Sequence, residues 1–190
     1  MRLKLLFYMA ALALTVPCLS QVVPPAARRQ AADLSIGGGF NYWSGDWGGA
    51  IHRFGPSVWA SADLWHGLGI NAEFHSMLAG GSNPSPKFKY YVGEGGLMYT
   101  YHHWRKLNPY AKAELGFASL SVPYPPGIQS HYTNNIWALG GGAEYHTWRR
   151  LWTRFDYTYD GFPHFYSTVT GQYHTLNPNG IAIGVTYHLR

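Results

Sequence analysis

Charged residues are scarce in this chain. Asp, Glu, Lys and Arg together make up 12% of its 190 residues, about half the share found in an ordinary soluble domain. Intrinsic disorder requires high charge and few aromatics, and a coiled coil requires abundant Ala, Glu, Lys and Leu, so the composition excludes both classes. An aromatic content of 17% and 23 glycines instead favour β-structure with an apolar outer surface.

Cysteine is nearly absent too. Cys18 is the only one, so no intramolecular disulfide is possible. It lies in a segment with the features of a secretory signal peptide, in which Arg2 and Lys4 precede an apolar run too short for a permanent membrane helix. We predict a cleaved signal peptide at 1–20 and a short linker at 21–31. A lipidated Cys18 and a buried first helix are the alternatives.

Clustered positive charge is also missing. The formal net charge is +5, but two of the basic residues belong to the predicted leader and the others are dispersed along the chain. A protein that binds nucleic acid concentrates its Lys and Arg on one face or one stretch. We therefore expect no nucleic-acid partner.

Long apolar runs do not occur after the leader, so no transmembrane helix is expected there. Apolar and polar residues instead alternate with the two-residue period of a β-strand. The alternation predicts eight strands, at 32–42, 57–64, 70–76, 91–101, 111–118, 137–146, 153–160 and 181–189. Short connections are expected near 65–69, 102–108 and 147–151, and longer ones near 45–56, 79–88, 120–134 and 161–178. Short turns at one end and longer loops at the other are typical of an antiparallel barrel in a membrane.

The two faces of the predicted strands differ in chemistry. One is aliphatic, aromatic or Gly, and the other carries small residues with isolated charges. A Lys or Arg on the lipid face costs about 2–4 kcal/mol near the membrane midplane, so the charged face is expected to line the lumen. Seven charged residues share this inward parity: Glu73, Glu94, Lys112, Glu114, Glu144, Arg154 and Asp156. We predict that they pair within a filled polar lumen. A gate whose salt bridges exchange partners is the alternative.

Tyr and Trp gather near the predicted strand ends, where the aromatic girdles of a membrane barrel belong. The predicted girdle residues are Tyr42, Trp43, Trp65, Tyr101, Trp104, Trp137, Tyr145, Trp148 and Tyr187. Trp43 is also grouped with the aromatics of the predicted loops, which are Trp43, Trp47, Tyr124, Phe162, Phe165 and Tyr166. We interpret the loop aromatics as caps at the membrane interface. A surface that binds an extracellular partner is the alternative.

No metal, cofactor or catalytic site is predicted. The chain has ten histidines, but no His-x-His pair that would place two ligands on one strand face, so we expect interfacial or solvated histidines. His75 and Ser76 are adjacent on a predicted strand and therefore point to opposite faces, which excludes them as a catalytic pair.

Residues 32–190 resemble the small bacterial outer-membrane β-barrel family, the OmpA-like and OmpX-like eight-stranded barrels. The stretches WALGGGAEYHTWRRLWTRFDYTYDGFPHF and LNPNGIAIGVTYHL carry the resemblance, together with the strand pattern. It implies an all-β, eight-stranded antiparallel transmembrane barrel with up-and-down meander topology, located in the bacterial outer membrane. It also implies contact with outer-membrane lipids and lipopolysaccharide, and with the barrel-assembly machinery. Family members commonly end in an aromatic residue, usually Phe, whereas here Leu189 stands at that place and Arg190 follows.

The function implied by these features is a non-enzymatic one, either structural or in surface interaction. A narrow, porin-like pore for small solutes or ions is the first alternative. A lipid-modifying enzyme, such as a lipid A deacylase with a Ser–His–acid arrangement, is the second. A soluble periplasmic barrel that carries a ligand is the alternative for the fold.

Overall fold

The computed structural model describes residues 33–45, 51–77, 89–123, 129–167 and 172–189, and they form β-strands joined by turns. The strands are β1 (Asp33–Gly45), β2 (Ile51–Trp65), β3 (Leu68–Met77), β4 (Lys89–Thr100), β5 (Leu107–Pro123), β6 (Gln129–Trp148), β7 (Leu151–Ser167), β8 (Gln172–Leu176) and β9 (Asn179–His188). Within these residues, no helix is long and apolar enough to cross a membrane. The predicted leader, linker and last residue lie outside the described residues.

Antiparallel pairing closes the strands into a barrel. Each strand from β1 to β7 pairs with the next, and β9 pairs with both β7 and β1. The short β8 pairs only with the end of β7, so β8 and β9 are two pieces of one eighth strand. The break falls at Asn177 and Pro178, because proline has no N–H for the ladder, although the Pro178 carbonyl still accepts a hydrogen bond from the Asp160 N–H at 2.9 Å. The predicted eight-stranded up-and-down barrel is confirmed.

The three short connections are confirmed as turns. They occupy residues 66–67, 101–106 and 149–150, between successive strands. His66 and Gly67 both have positive φ, at 49° and 88°, which is the conformation that joins antiparallel strands through two residues. The Gly67 N–H also donates to the Asp63 carboxylate at 3.2 Å. We call this end of the barrel, which also holds the first residue of β1 and the last of β9, the turn end.

The predicted long loops are wrong in extent, because the strands continue into them. At the opposite end, which we call the loop end, β2 already begins at Ile51 and β6 at Gln129. In the same way, β5 continues to Pro123 and β7 to Ser167. Gly, Pro, Ser and Asn in these segments suggested turns by local propensity. In a closed barrel, however, neighbouring strands offer ladder hydrogen bonds to any extended residue, and that tertiary context overrides propensity. Residues 46–50, 78–88, 124–128 and 168–171 lie outside the described residues.

The predicted alternation of faces is present along the described strands. Large apolar side chains point outward and are well exposed, with Leu115 at 73% and Phe40 at 69%. Polar and small residues point inward. An apolar belt of this size on a soluble protein would be unusual, because large exposed apolar patches mark membrane or protein contacts.

Two aromatic predictions are wrong. Trp43 and Phe162 point into the barrel and are buried, although Trp43 was assigned to the girdle and both were assigned to loops. Both lie on strands that extend into the predicted loops, so strand parity rather than loop geometry sets their direction. The other eight predicted girdle residues have exposed side chains. Trp47 and Tyr124 lie outside the described residues, as do the side chains of Phe165 and Tyr166.

The lumen is consequently polar only in part. Trp43 and Phe162 belong to a buried apolar cluster at the loop end, which we call the apolar plug: Trp43, Met77, Tyr90, Val92, Ala118, Leu120, Ile136, Phe162 and Leu176. The predicted filled lumen is not polar at this end, where the inward positions of the extended strands carry apolar side chains.

Inward glycines make room for the larger lumen side chains. A Cβ atom on Gly37 would overlap the indole of Trp59 and lie 2.7 Å from the Val185 carbonyl oxygen. Its neighbour Gly38 points outward, where the nearest atom to an added Cβ, the Ser57 carbonyl oxygen, is 3.4 Å away. Both glycines lie on β1, but Gly37 faces the lumen and Gly38 faces outward. Substitutions at the two positions can therefore be compared directly.

We expect Gly37→Ala to lower the free energy of unfolding by about 1–3 kcal/mol, because overpacking displaces the tryptophan. Gly38→Ala should change it much less. Urea unfolding of the barrel in lipid vesicles, followed by tryptophan fluorescence, measures both. Equal effects at the two positions would contradict the packing described here.

Candidate functional site

The centre of the lumen holds a buried lysine surrounded by carboxylates. Lys112 Nζ lies 2.7 Å from Glu73 Oε2, 3.1 Å from Asp156 Oδ1 and 3.2 Å from Glu114 Oε2. Its side chain extends across β6, where an added Cβ on Gly140 would lie 2.7 Å from Lys112 Cε. A glycine is therefore needed at that point of β6 to let the lysine reach its partners.

A buried arginine completes the centre. Arg154 Nη2 lies 2.9 Å from Asp156 Oδ2 and 3.3 Å from Glu73 Oε2, so Glu73 and Asp156 each bind both cations. The guanidinium carbon lies 4.8 Å from the ring centres of both Trp59 and Tyr110, a distance at which cation–π attraction is significant. The network is thus held by charge and by two aromatic faces.

Neutral side chains tie this network to the barrel wall. The Tyr110 hydroxyl donates to the Asp156 carboxylate, and Thr158 Oγ1 donates to Asp156 Oδ1 at 2.7 Å. Asn71 Nδ2 donates to Glu114 Oε1 at 2.8 Å. Buried charges are tolerated when such hydrogen bonds satisfy their remaining lone pairs.

All seven residues of the predicted charge network are buried, and the structure brings five of them together. Glu73, Lys112, Glu114, Arg154 and Asp156 form the centre described above, which we call the ion layer.

The other two predicted residues lie apart from it. Glu144 accepts from His188 Nε2 at 3.2 Å near the turn end, where His188 Nδ1 also approaches Asp33 at 3.4 Å. Glu94 lies nearest to His75, with Nδ1 and Oε1 3.7 Å apart, and neither of its carboxylate oxygens has a hydrogen-bond partner among the described residues.

Sequence reasoning missed four lumen residues with functional chemistry. Asn71 and Tyr110 bind the ion layer, and Asp160 is a buried acid on the same face of β7 as Asp156. His75 is buried with 1% of its surface exposed, so the reading of all histidines as interfacial or solvated is wrong. The inward parity of Asp160 and His75 was visible in the alternation, and it was the signal that could have found them.

The buried charges do not balance. Five carboxylates lie in and around the ion layer, on the residues Glu73, Glu94, Glu114, Asp156 and Asp160, and all five are buried. Lys112 and Arg154 are the two buried cations that face them. Both oxygens of Asp160, like those of Glu94, have no hydrogen-bond partner among the described residues. In and around the ion layer, buried carboxyl groups therefore outnumber the buried cations.

A separate cavity of about 530 Å³ lies on the outer face. Aromatic and aliphatic side chains from β1, β2, β7 and β9 line it, with the backbone of Gly141 and Gly142 at its floor. Its lining residues include no Ser, Thr, Cys or His. The cavity is thus an apolar groove, and Asp156, the one acid in its lining, has its carboxylate bound in the ion layer that Lys112 and Arg154 form inside the barrel.

A closed barrel with an apolar belt outside and paired charges inside is the architecture of bacterial outer-membrane barrels. A comparison with protein families matches residues 10–188 to the outer membrane protein β-barrel domain. The chain belongs to this family. As a family member it forms a barrel that crosses the bacterial outer membrane, with the apolar belt against lipid, and the predicted transmembrane fold is confirmed.

Solved structures share the fold. Neisserial surface protein A has 17% identity and a TM-score of 0.64, over 82% of this chain and 96% of that one. OprG from Pseudomonas aeruginosa has 12% identity and a TM-score of 0.59, over 85% and 97%. Ail of Yersinia pestis, the attachment invasion locus protein, solved with the heparin analogue sucrose octasulfate, has 15% identity and a TM-score of 0.55, over 83% and 97%. At these identities the likeness establishes the fold alone. A comparison with curated proteins finds no match.

The ion layer makes a direct prediction for Lys112→Met. Removing one partner of a buried ion pair leaves the others uncompensated, which costs about 3–5 kcal/mol. We therefore expect a loss of that size in the free energy of unfolding, measured by urea titration in lipid vesicles. Lys106→Met is the matched control, because Lys106 is exposed in a turn and should change stability little. A loss of similar size in both variants would contradict the assigned role of Lys112.

Proposed function

We propose that the protein is a closed, non-enzymatic outer-membrane barrel that acts in membrane structure or in surface interaction at its loop end. The observation that carries this proposal is the double filling of the lumen. The ion layer occupies the middle, and the apolar plug occupies the loop end. Eight strands enclose a lumen only wide enough for side chains, and here those side chains interlock across it.

The filled lumen argues against the pore alternative. A path for ions past Arg154 would have to break its contacts to Glu73 and Asp156 and displace the rings of Trp59 and Tyr110. It would then meet the apolar plug, in which Tyr90 and Val92 are fully buried. A gate that only exchanged salt-bridge partners within the ion layer would leave the plug in place.

The loop end has a shape suited to a surface role. A β-strand of about 9–11 residues spans a bilayer, and β3 has 10 residues, whereas β5 and β7 have 17 each and β6 has 20. The pairing of β5 with β6 continues without interruption to Pro123 and Gln129. Short turns at the turn end join β2 to β3, β4 to β5 and β6 to β7. The extra length of the long strands therefore lies at the loop end. A wall of paired strands therefore stands beyond the membrane there, as a rigid support for an extracellular partner.

The structure offers little for the lipid-modifying alternative. Ser76 Oγ donates to the Pro56 carbonyl at 3.5 Å, and His75 is stacked on Trp43 inside the barrel, away from lipid. The outer groove could hold an acyl chain, but its lining has no Ser, Cys or His, and the carboxylate of Asp156 is bound in the ion layer. We propose that lipid and lipopolysaccharide act on this face as solvating neighbours and not as substrates.

Export and assembly belong to the same proposal. Export through a signal peptide at 1–20 would leave the new N-terminus in the periplasm. The turn end, which holds both ends of the described barrel, would then lie on the periplasmic side. The closing pair of β1 with β9 runs from Ser35 and His188 to Ser44 and Asn179. We propose β9 as the strand that the barrel-assembly machinery engages, with Tyr187 and Leu189 pointing outward.

The experiment for this proposal is a conductance recording on the purified barrel in planar bilayers. We expect no steady ohmic conductance above the bare-bilayer background, because the ion layer and the apolar plug both block the lumen. A flotation assay of the same vesicles shows that the protein is inserted, and a large-pore porin serves as the conducting control. Steady single-channel steps from the inserted wild-type chain would contradict the closed-barrel proposal and favour the narrow pore.

A further inference from the structure

Three ligating side chains converge beside the ion layer. Glu73 and His75 lie two residues apart on β3 and share the inward face, and Glu94 is the direct partner of Glu73 in the register of β3 with β4. One ligand atom from each residue can be chosen so that all three lie within 4.8 Å of one another. All three residues are buried. Because the three residues come from two adjacent strands, no His-x-His pattern along one strand indicates them.

Two of these side chains lack hydrogen bonds in a setting where bonds are expected. His75 is 1% exposed, and neither of its ring nitrogens has a hydrogen-bond partner among the described residues. The same holds for both oxygens of Glu94. Buried polar side-chain atoms nearly always have a partner, and an exception calls for an explanation such as a bound ion. The two residues also face each other, with Nδ1 and Oε1 3.7 Å apart.

The third residue, Glu73, has one carboxylate oxygen that could bind a ligand while the other keeps its contacts in the ion layer. The hydrogen bonds that Glu73 accepts from Asn71, Lys112 and Arg154 all end on Oε2. These contacts do not use Oε1. Trp43 holds the ring of His75 in place, since the two rings stack with centres 4.6 Å apart and planes 16° apart.

We propose that Glu73, His75 and Glu94 bind a divalent transition-metal ion in the lumen, with zinc as the representative ion. Zinc takes imidazole nitrogen and carboxylate oxygen at about 2.0–2.2 Å, whereas calcium and magnesium prefer oxygen ligands alone. Two ligands at such distances from a tetrahedral ion lie about 3.4 Å apart, close to the separation of His75 Nδ1 and Glu94 Oε1. Small side-chain rotations would therefore bring this pair to ligand spacing, and three protein ligands leave the fourth tetrahedral position to a water molecule.

The charge of the lumen favours a cation at this position. Five buried carboxyl groups face Lys112 and Arg154, so a divalent ion held by Glu73 and Glu94 would offset the charge of the two carboxylates that bind it. Asp160, whose oxygens also lack hydrogen bonds among the described residues, is a further buried carboxyl group on the inward face. The ion would thus act as a structural part of the lumen filling, beside the lysine and the arginine.

The test is zinc uptake by the full chain as it folds from urea into detergent, after treatment with EDTA, because the filled lumen leaves the folded barrel no open path to the site. Folding at a series of free zinc concentrations, followed by metal analysis, is expected to give one zinc per chain. His75→Gln and Glu94→Gln each remove a ligand, and each should weaken binding at least about tenfold, since even the loss of an outer-shell partner costs 10–100-fold. Cobalt(II) gives an independent readout, because its visible absorption bands should appear with wild type and not with His75→Gln.

The matched control is His188→Gln. His188 also lies between two carboxylates, Glu144 and Asp33, but near the turn end, and its replacement should leave zinc affinity unchanged. Heat-dependent mobility on a denaturing gel verifies that each variant is folded, and Glu94→Gln serves if His75→Gln does not fold. Absence of zinc binding to wild type, undiminished binding in the folded ligand variants, or loss of binding in His188→Gln would each overturn the proposal.

Discussion

The cost of placing charge against hydrocarbon is the constraint on which this structure depends. Lys112 and Arg154 lie in the middle of strands whose other face meets lipid, so the charged face of every strand has to turn inward. Once inside, the two cations require carboxylates within hydrogen-bond reach, and Glu73 and Asp156 supply them to both. The register of three strands, β3, β5 and β7, is thereby tied to one cluster of charges.

The remaining filling follows from the space around that cluster. Glycines on the inward face admit the long side chains, as Gly140 does for Lys112 and Gly37 does for Trp59. Trp59 in turn lies against the Arg154 guanidinium and donates from Nε1 to Thr186 Oγ1 at 3.0 Å. Above the ion layer, Trp43 joins the charged region to the apolar plug by stacking on His75. Charge, aromatic rings and apolar side chains therefore form one continuous filling and not separate layers.

The strand count, the meander and the facing of the seven charges could be predicted from sequence, because alternation within one strand reports its two faces. The partners that these charges bind could not be predicted, since they depend on the register between strands. The pairing of Glu144 with His188 joins β6 to β9, and nothing local to either strand indicates it. The inward turn of Trp43 was missed for a different reason. Its strand continues through Gly45 by pairing with β2, in a segment whose composition favours a loop.

The outward direction of the apolar strand face and the inward direction of the charged face are tested most directly by adjacent residues on β4. Leu97 points outward and Met98 inward, with 60% and 8% of their surfaces exposed. Spin labels on Leu97→Cys and Met98→Cys, each in a Cys18→Ser background and folded into lipid vesicles, would be relaxed by oxygen, which concentrates in the bilayer. We expect strong relaxation at position 97, and weak relaxation with restricted motion at position 98. The reverse order would contradict these directions and turn the barrel's apolar face inward.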